Sequence, residues 1–283
     1  DITKAINTSC FAEEATRSTN SSIVLSLCRL EVEHKQQAHN LFSHVKSQLL
    51  KQGISRNDLT GTKLMEIVST LIMQGIKRDL STILWWGDDV NGTAGTAQVL
   101  CSGIWKKLDN YVGAGTIGLA THRTAALANS LLELEAMHAL RSNELAAADQ
   151  VIYCSRTFAE SYKAQLRAAG THTQAYADLQ NGFGNLSFDG VEMVVNPSWD
   201  ADIATHGAAL ANMTNALPPD AVAERRAAIW TAKDNITVGT DFTAQDVDMW
   251  YNKDCKENRF RMNYSFGVEI KEPTMCVMSV QSS

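Results

Sequence analysis

The sequence lacks the features that mark several large classes of protein. No apolar run approaches the roughly 18–20 residues that a membrane-spanning helix needs, and no secretory signal pattern is present. A basic surplus is missing too, since 25 lysines and arginines against 31 acidic residues give a formal net charge of −6. Dedicated nucleic-acid binders usually carry a clear basic patch, so the charge argues against that class.

Familiar catalytic motifs are also missing. The chain contains no GxSxG, no phosphate-binding P-loop and no HExxH. Its six cysteines form no CxxC pair and no short regular spacing, which is a poor pattern for zinc and for a disulfide framework. Cys154 and Cys276 lie in apolar runs, where we expect buried free thiols. We therefore expect no catalytic residue, no metal ligand and no cofactor.

A few polar residues are candidates for chemistry, and each has a simpler interpretation. Three histidines are spaced by five, which does not place them on one helix face, so we interpret them as solvated loop residues rather than metal ligands: His34, His39 and His44. Asp88 and Asp89 could act as a carboxylate pair, but a polar turn that closes a helix is favoured. His138 is expected at the surface or half-buried. A small-molecule, metal-dependent enzyme that uses these carboxylates and His138 is the distant alternative function.

The first third of the chain predicts an extended region and then a long helix. At 283 residues the chain is long enough for one or two domains. Residues 1–22 are polar and predict an extended arm, residues 22–34 suggest a strand, and residues 35–60 form a long connection of low periodicity.

The strongest helix pattern begins at Leu64. Apolar residues recur every three or four positions from there to Ile83, which predicts one long amphipathic helix. Thr60 or Thr62 can cap its start, and Gly87 can end it.

The middle of the chain predicts an α/β unit. A second helix is expected over residues 124–145, followed by a buried strand in QVIYC and a third helix in SRTFAESYKAQLRAAG. Thr157 and Glu160 match a capping box at the start of the third helix, and Gly170 marks its end. An Asp-Gly pair at 189–190 predicts the turn of a hairpin.

The last third of the chain predicts strands. The segments RRAAIWTA, NITVGTD and VDMWYNK precede the longest polar–apolar alternation, which runs from Arg259 to Lys271. Six apolar residues fall on one side of this strand: Phe260, Met262, Tyr264, Phe266, Val268 and Ile270. The other side is polar and does not form an active-site set: Arg259, Arg261, Asn263, Ser265, Glu269 and Lys271. The whole chain therefore predicts an α+β protein without internal repeats.

The order of these pieces resembles the major capsid proteins of tailed bacteriophages with the Hong Kong 97-like fold. The spine helix of that fold and the turn after it resemble the block GTKLMEIVSTLIMQGIKRDLSTILWWGDD…GIWKKLDNY. The first helices and the first strand of the axial domain resemble a second block, ANSLLELEAMHAL…NELAAADQVIYCSRTFAESYKAQL. The sheet of the peripheral domain and the final return of the chain resemble a third block, FDGVEMVVNPSWD…RAAIWTAKDNITVGTD…DVDMWYNKDCKENRFRMNYSFGVEIKEP. These blocks cover most of the chain from Thr62 onward, in the expected order.

The resemblance implies a domain plan. It consists of an N-terminal arm at 1–24, an extended loop at 25–60, a peripheral domain at 61–120 and 235–270 (long spine helix plus β-sheet), and an axial domain at 121–234 and 271–283. In this fold the apolar side of the last long strand packs on the spine helix. Its polar side faces solvent or a neighbouring subunit. A start at Asp1 is compatible with maturation cleavage and equally with a truncated N-terminus.

The implied function is structural. Many copies, as hexamers and pentamers, would self-assemble in the bacterial host cytoplasm into the icosahedral capsid of a virion, around double-stranded DNA that the shell contacts weakly. The implied partners are a portal protein at one vertex, scaffolding proteins and decoration proteins, with no membrane. Some family members cross-link subunits through a loop lysine; no motif singles out one of Lys35, Lys46 and Lys51. An encapsulin-like nanocompartment shell protein shares the fold and is the runner-up.

Overall fold

A computed structural model describes residues 24–37, 63–90, 92, 95–122, 130–168, 186–211, 226–241 and 247–281 of the chain. In these residues the chain forms two β-sheets with helices packed on them, a four-stranded sheet A and a six-stranded sheet B. The mixture of helices and sheets confirms the predicted α+β class.

Sheet A is built around one long strand. Strand β9 (Glu257–Ile270) pairs along one side with β1 (Cys28–Gln37). Along its other side, the first half of β9 pairs with β8 (Val247–Asn252) and the second half with β7 (Ile236–Thr240). All these pairs are antiparallel. The strand predicted over residues 22–34 therefore begins later, at Cys28, and continues to Gln37.

The predicted alternation of β9 is confirmed. The six apolar side chains are each no more than 6% exposed: Phe260, Met262, Tyr264, Phe266, Val268 and Ile270. The polar residues between them are half-buried or exposed, as are their neighbours on β1. Sheet A therefore has one apolar face and one polar face.

The long helix α1 (Lys63–Trp86) lies against the apolar face of sheet A. Ile76 and Ile83 share one buried cluster with Phe260, Met262 and other residues of β9. At about 1.5 Å per residue the helix is roughly 36 Å long. The predicted end at Gly87 is confirmed, since the last helical residue is Trp86. A Cβ at Gly87 would lie only 2.2 Å from the carbonyl oxygen of Cys101, so the close approach of the chain requires glycine here. The predicted caps, Thr60 and Thr62, lie outside the described residues.

Sheet B contains the remaining six strands. In spatial order they are β2 (Gly118–His122), β10 (Cys276–Gln281), β6 (Ala227–Ala232), β3 (Gln150–Ser155), β5 (Val191–Asn196) and β4 (Ser187–Phe188). The strand predicted in QVIYC is confirmed as β3. The predicted hairpin is confirmed as β4 and β5, since Asp189 (φ 49°) and Gly190 (φ 77°) adopt the left-handed conformation that a two-residue turn requires.

In the described residues after α1 there are five further α-helices: α2 (Ile104–Gly113), α3 (Ser130–Ala139), α4 (Asn143–Ala147), α5 (Arg156–Ala168) and α6 (Trp199–Ala211). The single helix predicted over residues 124–145 is wrong for its described part, which forms α3 and α4. Ser142 separates them, because its hydroxyl accepts a hydrogen bond from the amide of Leu145 (3.1 Å) and so starts a new helix.

The predicted cap of α5 is also wrong. Ser155 is the capping residue, since its hydroxyl accepts a hydrogen bond from the amide of Phe158 at 3.2 Å. Thr157 and Glu160 both lie inside the helix, so their capping-box spacing is two residues too late. The predicted end at Gly170 lies outside the described residues.

Among the described elements the chain passes between sheets A and B three times, and one of these connections runs from β1 to β2 through α1 and α2. The other two are short crossings that run side by side, the first from β6 to β7 and the second from β9 to β10. Asn235 in the first crossing binds Glu272 in the second: its Oδ1 accepts from the Glu272 amide (2.7 Å), and its Nδ2 donates to the Glu272 carbonyl (2.9 Å). The Lys271 amide also donates to the Asn235 carbonyl, at 2.9 Å.

Four tryptophans fill the core between the two sheets. The rings of Trp85 and Trp199 are 4.8 Å apart, and those of Trp86 and Trp105 are 5.6 Å apart. The same buried cluster contains Ile270 from sheet A, together with residues of sheet B. The end of α1, α2, α6 and both sheets therefore share one apolar core.

Candidate functional site

The two carboxylates after the tryptophan pair belong to the turn between α1 and α2. Asp88 is 3% exposed, its Oδ1 accepts from the Val90 amide at 3.0 Å, and its Oδ2 lies 3.6 Å from Nζ of Lys106. Asp89 accepts from the hydroxyl of Ser102 at 2.5 Å. These contacts hold the polypeptide of the turn in place.

His138 lies at the end of α3, next to the hairpin of sheet B. Its Nε2 is 3.2 Å from Oδ2 of Asp189, and both side chains are largely exposed. Its ring also packs edge-on against Trp230, with 6.1 Å between the ring centroids. His138 is thus next to a carboxylate in the turn between β4 and β5, whereas Asp88 is next to a lysine of α2.

The histidine set is spread along the chain. His34 lies in β1, half-buried opposite Phe260, while His39 and His44 lie outside the described residues. Within the part of the chain that the structure describes, no group of three or more His, Cys, Asp or Glu side chains is placed to hold a metal ion. Nor is any helix there long and apolar enough to cross a membrane.

One glycine spacing in the chain matches a nucleotide-binding pattern, GAGTIG at residues 113–118. In dinucleotide-binding folds such glycines follow a strand and open a helix, whose N-terminus faces the phosphates. Here they follow α2 and lead into β2. The order is reversed, so this geometry does not form a phosphate site.

The cysteines differ from the prediction in one respect. Cys28 at the start of β1 and Cys101 before α2 form a disulfide, with 6.1 Å between their Cα atoms. The expectation that the cysteine spacing forms no disulfide framework is wrong for this pair, because the two residues are 73 positions apart and meet only through the fold. Cys154 and Cys276 are buried free thiols, as predicted. Burial raises the pKa of Cys276 to about 11.

The polar face of sheet A, which we call the outer face, is an open surface of mixed charge. Register partners in an antiparallel sheet point to the same side, so it comprises Arg29, Glu31, Glu33 and Lys35 of β1, Arg259, Arg261, Asn263 and Ser265 of β9, and Asp248 and Trp250 of β8. Arg261 forms ion pairs with Glu31 and, at 3.8 Å, with Glu33. Cross-strand pairs of this kind leave the face polar but without a strong field of one sign.

Sheet A and the helix on it also expose apolar side chains, and the sheet has strand edges without a neighbouring strand. Met249 and Trp250 are adjacent on β8 and are 40% and 39% exposed, and Leu71 on α1 is 61% exposed. Among the described strands, β1 lies at one edge of sheet A, and β7 and β8 lie at the other, because each of the three pairs only with β9. Free strand edges and exposed aromatic residues are features of surfaces that associate with other chains.

No protein-family model matches the sequence, and neither does any curated protein. The fold, in contrast, has counterparts among solved structures. A chain of the satellite phage P4 procapsid, in a structure that includes the size determination (Sid) protein, aligns with 100% of this chain and 86% of its own length, at a TM-score of 0.53 and 11% identity. A chain from Mycobacterium phage Ogopogo aligns with 96% of this chain and 82% of its own, at a TM-score of 0.53 and 13% identity.

The chain has the fold of bacteriophage capsid proteins. At 11% and 13% identity this likeness concerns the path of the backbone, not individual side chains. The roles of residues in those capsid chains therefore do not transfer to this one. In a capsid fold the surfaces are of more interest than any single pocket, and the outer face and free edges of sheet A are the candidates.

Proposed function

We propose that the chain is the major capsid protein of a tailed bacteriophage, a structural protein whose copies assemble into an icosahedral shell around double-stranded DNA. The observation that carries this proposal is the alignment of the whole chain with 86% of a procapsid chain. A match of this extent includes both sheets and the long helix. It is not the match of a single common motif.

The surface of sheet A supports self-assembly. A subunit of a closed shell needs contact areas on several sides, and sheet A offers a polar outer face, two free strand edges and exposed apolar side chains such as Met249 and Trp250. Interfaces of this kind combine an apolar centre with a polar rim. Hexamers and pentamers of the chain are the proposed assembly units.

The charges support a weak contact with packaged DNA. The formal net charge is −6, and basic residues of the outer face such as Arg261 are already paired with glutamates. Strong phosphate binding needs several unpaired lysines or arginines, because affinity grows with the number of phosphates neutralised. A shell of this composition encloses DNA without holding it tightly.

We propose the Hong Kong 97-like domain plan for the chain. Sheet A with α1 corresponds to the peripheral domain (61–120 and 235–270), and sheet B with its helices corresponds to the axial domain (121–234 and 271–283). The arm is 1–24 and the extended loop 25–60. Strand β1 lies within this proposed loop and pairs with β9, so sheet A forms the base of the loop.

The proposed partners are a portal protein at one vertex and scaffolding and decoration proteins, and the proposed location is the virion after assembly in the host cytoplasm. We propose no enzymatic activity. The encapsulin-like alternative predicts a shell that encloses a cargo protein instead of DNA. The distant enzyme alternative predicts a small, unassembled protein that binds a metal.

The size of the purified full chain tests the proposal. We expect megadalton, closed particles by light scattering and negative-stain microscopy, and no significant 31.0 kDa species. Empty or DNA-filled shells with a portal vertex in phage-infected cells would support the capsid function. Shells that consistently contain one protein cargo would favour the encapsulin-like alternative. A stable 31.0 kDa monomer that binds a divalent metal would overturn both shell functions.

A further inference from the structure

The chain crosses the outer face of sheet A just before β1 begins. Cys28 is the first residue of β1 and pairs with Phe266 of β9. The residues before it turn across the sheet. A Cβ on Gly267 of β9 would lie 2.3 Å from the carbonyl oxygen of Ser26, and a Cβ on Gly239 of β7 would lie 2.3 Å from Cδ2 of Leu25. Residues 24–27 therefore pass from β1 over β9 to β7.

The two glycines under this crossing are register partners. Gly239 on β7 pairs with Gly267 on β9, so together they leave a gap across two neighbouring strands. Neither has the positive φ that would require glycine for its backbone conformation. Glycine inside a strand weakens it and often marks a place where another backbone approaches closely. The space above the strands, rather than the backbone torsion, is what requires glycine here.

The side chains of Leu25 and Leu27 lie over this gap. Cδ2 of Leu27 would be 3.0 Å from a Cβ on Gly239 and 3.1 Å from a Cβ on Gly267, so this leucine lies over both glycines. Beside the gap, the Ser265 amide of β9 donates to Asp241, which follows β7. This hydrogen bond connects β9 to the end of β7 at the border of the gap.

We propose that Gly239 and Gly267 form a seat for residues 24–27, which fixes the direction from which the chain enters sheet A. The seated segment links β1, β9 and β7, three strands that are otherwise joined only through β9. On the proposed capsid function, on which this last step rests, a displacement of residues 24–27 from the seat prevents the copies from forming closed shells.

Hydrogen–deuterium exchange of the purified full chain tests the seat. Gly267→Val should raise the exchange rate of the amides at residues 24–30 by roughly tenfold or more, because its side chain meets the Ser26 backbone, while the amides of α1 change little. Asn263→Val is the matched control, since it adds a branched side chain to the same strand and face where the side chain is exposed. It should leave the exchange of residues 24–30 at the wild-type rate.

A second variant decides the matter if Gly267→Val does not fold. Gly239→Val should also raise the exchange rate of the amides at residues 24–30, because Cδ2 of Leu25 and Cδ2 of Leu27 would lie 2.3 Å and 3.0 Å from its Cβ and would have to move. Wild-type exchange in both glycine variants would overturn the seat.

The assembly step has its own readout. We expect Gly267→Val to lose closed shells while Asn263→Val keeps them. Normal shells from a Gly267→Val chain with raised exchange would overturn the role in assembly. A wild-type chain that forms no shells would overturn the proposed function, and the exchange rates would still decide whether the seat exists.

Discussion

Sheets A and B bury their central strands in different ways. Strand β6 of sheet B is buried at five successive residues, 227–231, because its two faces contribute to two different apolar clusters. Strand β9 of sheet A is buried at alternate residues over most of its length, with α1 on one face only. Both faces of the central strand of sheet B are covered within one chain, whereas sheet A leaves a face open. The difference indicates that contacts with other copies involve the open face of sheet A.

The largest effect is expected at the buried face of sheet A. Phe266→Asp places an unpaired carboxylate between β9 and α1, and should cost roughly 5 kcal/mol of unfolding free energy. Asn263→Asp adds the same charge to the exposed outer face and should cost about 0.5 kcal/mol or less. Denaturant unfolding measures both. Equal losses for the two variants would contradict the assigned faces.

The next effect contrasts two ion pairs. Glu133 of α3 lies 3.2 Å from Arg226, which precedes β6 of sheet B, with the two side chains 0% and 4% exposed, and Glu133 also accepts from the Ser279 hydroxyl of β10. Glu133→Ala leaves the arginine charge buried and should cost about 3–5 kcal/mol. Glu31→Ala removes a partner of Arg261 on the outer face, where both side chains are nearly half exposed, and should cost less than about 1 kcal/mol. Thermal unfolding of the two variants tests this ranking; similar midpoints would refute it.

A third effect concerns the covalent link in sheet A. The Cys28–Cys101 disulfide closes a long loop, and its reduction should lower the unfolding free energy by about 2–4 kcal/mol. Unfolding with and without a reductant measures the loss. Cys28→Ser should remove the sensitivity to reductant, whereas a Cys255→Ser variant, which changes an exposed free thiol, should keep it. A wild-type chain indifferent to reductant would show that the link does not form in solution.

The smallest effect is a dependence on pH at the outer face. Hydrogen bonds from Ser265 hold the pKa of Asp241 below its ordinary value. Since the folded-state pKa is the lower one, the stabilisation is present above the unfolded pKa of about 3.9 and is lost as the pH falls through the folded value. Asp241→Asn should therefore flatten the fall of the thermal midpoint in this acidic range. If the thermal midpoint of Asp241→Asn depended on pH as that of the wild type does, Asp241 would not be the cause of the acid dependence.

Much of this comparison could be predicted from local patterns. The alternation of β9 and the periodicity of α1 are sequence signals because each element has one buried face. Helix α6 was missed, since its sequence is rich in alanine and Trp199 at its start supplies much of its packing. The Cys28–Cys101 disulfide could not be found from spacing. The paired glycines also gave no signal, because Gly239 and Gly267 become neighbours only through the register of β7 and β9.

The paired crossings between the sheets have a mechanical consequence. A hinge between two parts of a protein consists of a few loop or element-terminal residues whose φ and ψ angles change to absorb a rotation. Here two stretches of chain run side by side and are bonded through Asn235, with the stacked tryptophans next to them. A rotation of one sheet against the other would have to break these hydrogen bonds and separate the rings together. We therefore expect the two sheets of each subunit to keep their relative orientation if the subunits form a shell.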